Sequence, residues 1–240
     1  REGPGGLVLI TGKINGGGRY DFILDTGAPV SVILDGPGTE ALKLDTSKAR
    51  KLGDPDNPAT PTGVITPGFT FEFGAVKFSD LTAVVIPRKV MPCADRFNAL
   101  NFQGVIGADI FKRFVVEIDH EEKRVRLHDP SQVPASLAAQ LRAGKAAELP
   151  LTFRSGHIYT DLKVRLLDAE VPVHVHVDTG KNGALSLITA SKPEIQAPAS
   201  GQEVESCYVN GTGKSKRGNP VTVRLANTVA KDVPVQFEST

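Results

Sequence analysis

The chain has 240 residues, and its 28 Lys and Arg residues nearly balance its 27 Asp and Glu residues. This balance excludes a strong net field, so we expect no nucleic-acid partner and no attraction to an anionic membrane. No apolar run approaches the roughly 18 residues of a spanning helix, so the sequence predicts no membrane span. The 24 Gly and 17 Pro residues punctuate short apolar runs, a composition typical of many short strands and of an all-β fold.

The first predicted element is a β-hairpin that ends in Asp25-Thr26-Gly27. Apolar residues at 7–10 and at 20–24 flank a Gly-rich turn at 15–18, a pattern typical of two strands joined by a tight turn. The later stretch 53–68 is rich in Gly and Pro. It predicts either a mobile hairpin over a cleft or a long solvated loop.

A short helix is predicted between the two halves of the chain. The apolar spacing at 135–143 suits a helix that is closed by Gly144. We therefore divide the chain into a first lobe at 1–129, a linker at 130–148 and a second lobe at 149–240.

The second half of the chain repeats the first. Strand-like runs at 162–167 and 171–177 lead into a second tripeptide, Asp178-Thr179-Gly180, which lies 153 positions after the first. The alternating stretch 71–81 aligns with 223–233 at an offset of 152, and the polar stretch 203–220 takes the place of 53–68. The two offsets, 153 for the tripeptides and 152 for the alternating stretches, agree within one position and indicate an internal repeat.

The two tripeptides suit the hydrolysis of peptide bonds. Turn chemistry explains one Asp-Thr-Gly, but it does not explain two copies at equivalent points of a repeat. Two carboxylates held side by side, here Asp25 and Asp178, supply a base that activates water and an acid that protonates the leaving amide. Because like charges in contact cannot both ionise, such a pair shares a proton. We expect the turn glycines to permit close approach, and the Thr26 and Thr179 hydroxyls to bond across to the opposite turn.

At these residues the chain resembles the retropepsin and pepsin-like aspartic proteases, in particular the bacterial retropepsin-like aspartyl proteases. Residues 22–33, Phe-Ile-Leu-Asp-Thr-Gly-Ala-Pro-Val-Ser-Val-Ile, are similar to the catalytic loop of that family. Residues 104–111 resemble its hydrophobic-hydrophobic-Gly segment, which passes beneath the loop into a short helix. Residues 114–127 resemble the closing hairpin of a lobe, so the resemblance covers residues 5–128 as a complete lobe.

This resemblance implies a two-lobed aspartic-peptidase fold. It implies an endopeptidase that acts on protein or peptide substrates, without a cofactor or a metal. Asp25 and Asp178 would be its catalytic pair, one acting as base and the other as acid on a shared water.

The second half departs from the family pattern at two places. Lys181 stands where the family usually has Ala, Ser or Thr, and a cation there would favour two charged carboxylates over a shared proton. Shifting residues 104–128 by 152 gives positions beyond Thr240. The sequence therefore predicts that the second lobe is truncated, either because it has lost its counterpart of the Gly107 segment or because the chain is a fragment. On its own the chain is expected to be a weak or inactive peptidase unless another segment completes the second lobe.

Three other interpretations stay open. His174, His176 and Asp178 alternate along one strand and resemble the His-x-His-x-Asp zinc run of metallo-β-lactamase-like hydrolases, although Thr179 stands where that family has a His. A protease-like fold that binds peptides without cutting them is the second interpretation. The third is a homodimer in which two first lobes pair, as in retropepsins.

Two further features concern the compartment. Cys93 and Cys207 can form one disulfide in an oxidising compartment or stay as free thiols. The chain starts at Arg1 instead of Met, as expected for a protein whose signal peptide has been removed or whose end has been trimmed. On this basis we expect a periplasmic or secreted protein.

Overall fold

A computed structural model describes residues 1–35, 42, 47, 50–52, 63–91, 95, 100–132, 134–143, 147–208 and 211–239. Strands dominate these ranges, and the all-β prediction is confirmed. The described α-helices are α1 (Ala108–Phe111) and α2 (Ala135–Arg142), the second at the position predicted for the linker helix. Short 3-10 turns lie at Pro4–Gly6, Arg88–Val90, Pro130–Gln132 and Thr189–Ser191.

The first half of the chain builds one seven-stranded sheet. Its strands are β1 (Leu9–Ile14), β2 (Arg19–Leu24), β3 (Ser31–Asp35), β4 (Arg50–Leu52), β5 (Gly63–Phe73), β6 (Val76–Pro87) and β7 (Phe102–Ile106). They lie in the order β1-β2-β7-β3-β6-β5-β4, and β1 also pairs with β5. A separate hairpin of β8 (Val115–Asp119) and β9 (Arg124–His128) follows, where the closing hairpin was predicted.

Two apolar clusters hold the first half together. The larger one contains a chain of aromatic rings: Phe22 packs edge-on against Phe71 at 5.2 Å, and Phe78 packs edge-on against Phe114 at 5.0 Å. The smaller one, which we call the second cluster, lies on the other face of the sheet. It consists of Leu7, Leu9, Ile23, Val32, Leu34, Ile86, Phe102 and Val105. Both clusters include residues of β7, so this strand stabilises both faces of the sheet.

The second half builds two smaller sheets. Its strands are β10 (Thr152–Arg154), β11 (His157–Leu166), β12 (Ala169–His176), β13 (Leu185–Ile188), β14 (Glu203–Tyr208), β15 (Gly211–Arg217), β16 (Val221–Leu225), β17 (Thr228–Val233) and β18 (Val235–Glu238). One sheet has the order β10-β11-β16-β17, with β12 also paired to β11, and the other has the order β13-β18-β15-β14. A single apolar cluster around Val164, Val171 and Phe237 is described in this half.

The predicted repeat is present in the strand register. Phe71 pairs with Phe78 in the first half, and Val223 pairs with Ala230 in the second, which is an offset of 152 at both partners. The backbone irregularity repeats as well, because Asp80 and Asp232 both adopt positive φ, at 57° and 55°. This conformation is uncommon for a residue other than glycine, so its recurrence at equivalent positions supports the alignment.

The two stretches predicted as hairpins or loops lie in the hairpins β4–β5 and β14–β15. Residues 53–62 and 209–210 lie outside the described residues, so a role in covering a cleft stays a prediction. Cys93 also lies outside them, and its pairing with Cys207 stays untested. Among the described helices, none is long and apolar enough to cross a membrane.

The main difference between the halves concerns β7. In the first half β7 lies between β2, with which it is parallel, and β3, with which it is antiparallel. In the described part of the second half, no strand lies between β12 and β13. Among the described residues, the turn after β12 has no counterpart of the backbone support that β7 gives to the turn after β2.

Candidate active site

The two Asp-Thr-Gly turns meet within one chain. Asp25 follows β2 and Asp178 lies just beyond β12, so the two equivalent hairpins deliver equivalent residues. The threonines join the turns reciprocally. The Thr26 amide donates to Thr179 Oγ1 at 3.0 Å, and the Thr179 amide donates to Thr26 Oγ1 at 3.0 Å.

Each threonine hydroxyl also donates across the interface. Thr26 Oγ1 donates to the Val177 carbonyl at 2.6 Å, and Thr179 Oγ1 donates to the Leu24 carbonyl at 2.8 Å. Each hydroxyl thus accepts one hydrogen bond and donates another, so its donor and acceptor groups both have partners in a partly buried site. The predicted bonding of each threonine to the opposite turn is present.

The turn glycines allow the carboxyl groups to approach the opposite backbone. A Cβ at Gly27 would lie 2.6 Å from Asp178 Cγ, and a Cβ at Gly180 would lie 2.1 Å from Asp25 Cγ. Neither contact leaves room for a methyl group, because real Cβ atoms do not approach other atoms so closely. A side chain at either position would therefore displace the carboxyl group of the opposite aspartate.

The two carboxyl groups are hydrogen-bonded to each other, and the pKa of Asp25 is raised to about 7. Burial is the largest cause, followed by the negative charge of Asp178 and by the hydrogen bond to its carboxyl. The amides of Gly27 and Ala28 act in the opposite direction and lower the pKa. Asp25 therefore holds a proton over a pH range in which an ordinary aspartate is charged, as proton sharing between two acids requires.

Residues of β7 and α1 support the Asp25 turn from below. The Asp25 amide donates to the Ile106 carbonyl at 2.9 Å, and the Ala108 amide donates to the Ala28 carbonyl at 2.7 Å. Gly107 passes so close that a Cβ there would lie 2.6 Å from the carbonyl carbon of Val30. The predicted passage of the Gly107 segment beneath the turn is thus confirmed.

A polar network lies beneath this segment. Ser31 Oγ accepts from the Gly107 amide at 3.2 Å and donates to Asp109 Oδ1 at 3.2 Å. Burial raises the pKa of Asp109, whereas the hydrogen bond from Ser31 lowers it. Ser31 and Asp109 could not be predicted as site residues from the sequence, because neither stands in a spacing that indicates their contact.

The Lys181 side chain forms an ion pair with Glu238. Its Nζ lies 2.5 Å from Glu238 Oε1, and the two side chains are 23% and 16% exposed. The cation that raised doubt about proton sharing is therefore balanced by a carboxylate from β18.

His176 contacts the first turn from the second half. Burial lowers the pKa of His176, and the negative charge of Asp178 acts in the opposite direction. His174 instead bonds to Asp161 through Nδ1 at 2.7 Å. In the described part of the chain, no three His, Cys, Asp or Glu residues form a group that could hold a metal ion. The described geometry therefore does not bring His174, His176 and Asp178 together as zinc ligands.

Comparison with known proteins agrees with this geometry. Residues 10–110 match the family model described as aspartyl protease. The resemblance predicted for this segment is confirmed. The aspartyl protease segment includes the Asp25 turn and the Gly107 passage, and it ends before the second tripeptide.

A solved structure of a retropepsin-like aspartic protease from Rickettsia conorii is also similar. It is 17% identical, the match covers 49% of this chain and 80% of that chain, and the TM-score is 0.35. No curated protein matches the sequence. The match of residues 10–110 to the aspartyl protease family model is thus the comparison that supports a general aspartic protease function.

Proposed function

We propose that the chain is an aspartic endopeptidase in which Asp25 and Asp178 act on a shared water. The observation that carries this proposal is the hydrogen-bonded carboxyl pair, in which the pKa of Asp25 is raised to about 7. Between about pH 4 and pH 7 the pair retains a proton that an isolated aspartate would lose.

The mechanism follows from this protonation state. The charged carboxylate accepts a proton from the water as the oxygen attacks the scissile carbonyl carbon, and the protonated carboxyl donates its proton during collapse to the leaving amine. The reciprocal threonine bonds keep the carboxyls in place, because a small misplacement of reacting groups lowers the rate strongly. No redox step and no cofactor enters this reaction.

The test is a peptidase assay on an unfolded protein substrate with the wild type, Asp25→Asn and Asp178→Asn. We expect both Asn variants to lose activity, since an amide cannot serve as base, while Asp161→Asn at an exposed position serves as control. A statine-type transition-state analogue should inhibit the wild type, and EDTA should not. Full activity in either Asn variant at the pair contradicts the proposal, and loss with EDTA that zinc restores favours a metal site instead.

Binding without cleavage is the competing function, because the second turn lacks a counterpart of β7 in the described residues. It predicts that the statine analogue binds while no substrate is cleaved. Pairing of first lobes between chains is tested by dilution. Because both carboxyls come from one chain, specific activity is expected to stay constant on dilution, whereas a retropepsin-type dimer would lose it.

A further inference from the structure

One pair of the second cluster, Leu34 and Ile86, has a partly polar and exposed counterpart in the second half. Leu34 pairs with Ile86 across β3 and β6, and both side chains are buried in that cluster. At the equivalent point, Ile188 pairs with Glu238 across β13 and β18. Ile188 is 47% exposed, whereas Leu34 is 1% exposed, so the apolar layer is not rebuilt there.

The same replacement occurs beside the turn. Ala28, which packs on the second cluster, is equivalent to Lys181 at the offset of 153 that relates the two aspartates. Ala28, which packs on the second cluster, and Ile86, which belongs to it, thus correspond to Lys181 and Glu238, which form the ion pair. Two apolar positions of the first half are therefore occupied by two charged residues at the same places in the repeat.

The ion pair connects the second turn to the sheet. Lys181 follows Gly180 directly, and Glu238 is held in β18, which pairs with β13 on one side and β15 on the other. A charge-assisted hydrogen bond between side chains that are mostly shielded from water is stronger than an exposed one. The ion pair can therefore restrain the Asp178 turn, just as the backbone of β7 restrains the Asp25 turn.

We propose that Lys181 and Glu238 are positioning residues for Asp178, and that their ion pair restrains the Asp178 turn as β7 and α1 restrain the Asp25 turn. As a role in catalysis this rests on the proposed function, but as a restraint on the turn it does not. It gives a role to a lysine beside an acid pair, because the lysine charge is balanced by the Glu238 carboxylate.

The test is amide hydrogen exchange in the substrate-free protein, measured for Glu238→Gln and Lys181→Met. The Thr179 and Gly180 amides are expected to exchange about tenfold faster or more, a change that corresponds to about 1.4 kcal/mol of lost restraint. The Asp25 amide, which donates to Ile106, should keep its exchange rate. Glu170→Gln, which breaks the exposed pair with Arg224, is the matched control and should change neither turn.

Charge rescue separates positioning from a general contribution to stability. Lys181→Arg, and the exchange of the two charges in Lys181→Glu with Glu238→Lys, should slow the Thr179 and Gly180 amides again. Unchanged exchange in both single variants would overturn the proposal. Unfolding of both would overturn it as well, because the pair would then support the whole fold and not one turn. No substrate is used, so these outcomes do not depend on whether the protein cleaves peptides. If the protein does cleave peptides, kcat should fall in the single variants with little change in KM.

Discussion

Replacing Asp25 by Asn should change how the stability of the protein depends on pH. The folded protein keeps a proton on Asp25 up to about pH 7, whereas the unfolded chain releases it near 3.8. Between these values the unfolded state binds fewer protons than the folded state, so the wild type loses stability as the pH rises. Asn has nearly the shape of a neutral Asp and does not titrate, so the variant should not show this loss.

The size of the effect follows from the two pKa values. One pH unit between them corresponds to 1.36 kcal/mol, so a rise from 3.8 to about 7 costs the wild type at most about 4 kcal/mol above pH 7. Near pH 4 the two proteins should have nearly equal free energies of unfolding. Above pH 7 the Asn variant should be the more stable protein by up to that amount.

The measurement is urea unfolding of both proteins at several pH values from 4 to 8. The difference between the two free energies is the relevant quantity, because titrating groups away from the pair, such as the half-buried Asp109, contribute equally to both proteins. A constant difference across this range would refute the reasoning. It would mean that Asp25 ionises in the folded protein at an ordinary pH, and that no proton is shared.

Three other changes test the remaining contacts of the pair. Asp178→Asn should lower the pKa of Asp25 below 7 but leave it above 3.8, because a repulsive charge is lost while burial remains; carboxyl NMR titration measures this, and an unchanged pKa would contradict it. Gly180→Ala should reduce kcat about a hundredfold or more, because its methyl group would displace the Asp25 carboxyl, and ordinary turnover would show that the turns lie further apart. Thr26→Val and Thr179→Val should each cost about 1–3 kcal/mol of unfolding free energy, and the double variant less than the sum, since each removes different hydrogen bonds that hold the same two turns together; additive losses would argue against that coupling.

The repeat and the position of the carboxyl pair could be predicted from the sequence because both depend on local patterns. Alternating apolar residues define the strands, and Asp-Thr-Gly marks the two turns, so the offset near 152 could be counted before any contact was known. The resulting register holds to the residue, as the pairs Phe71–Phe78 and Val223–Ala230 show.

The partner of Lys181 could not be predicted in the same way. Glu238 lies 57 positions later in the sequence, and an ion pair leaves no periodic signal at such a separation. The sequence showed only that a cation follows the second tripeptide, which suggested a charge acting on the acid pair. Two charged residues at the positions of Ala28 and Ile86 are the signal that was available, and their meaning depends on knowing that both of those residues pack in the second cluster of the first half.

The reciprocal threonine bonds have a consequence for the order of events during synthesis. They join residues that lie 151 to 155 positions apart, so they cannot form until most of the chain has left the ribosome and both hairpins have folded. Bringing together residues so far apart in the chain is slow, and the hydrogen bonds stabilise the closed loop only after both turns have formed. A nascent or half-folded chain therefore carries two separate, ordinary aspartates, and the acid pair arises only in the finished molecule.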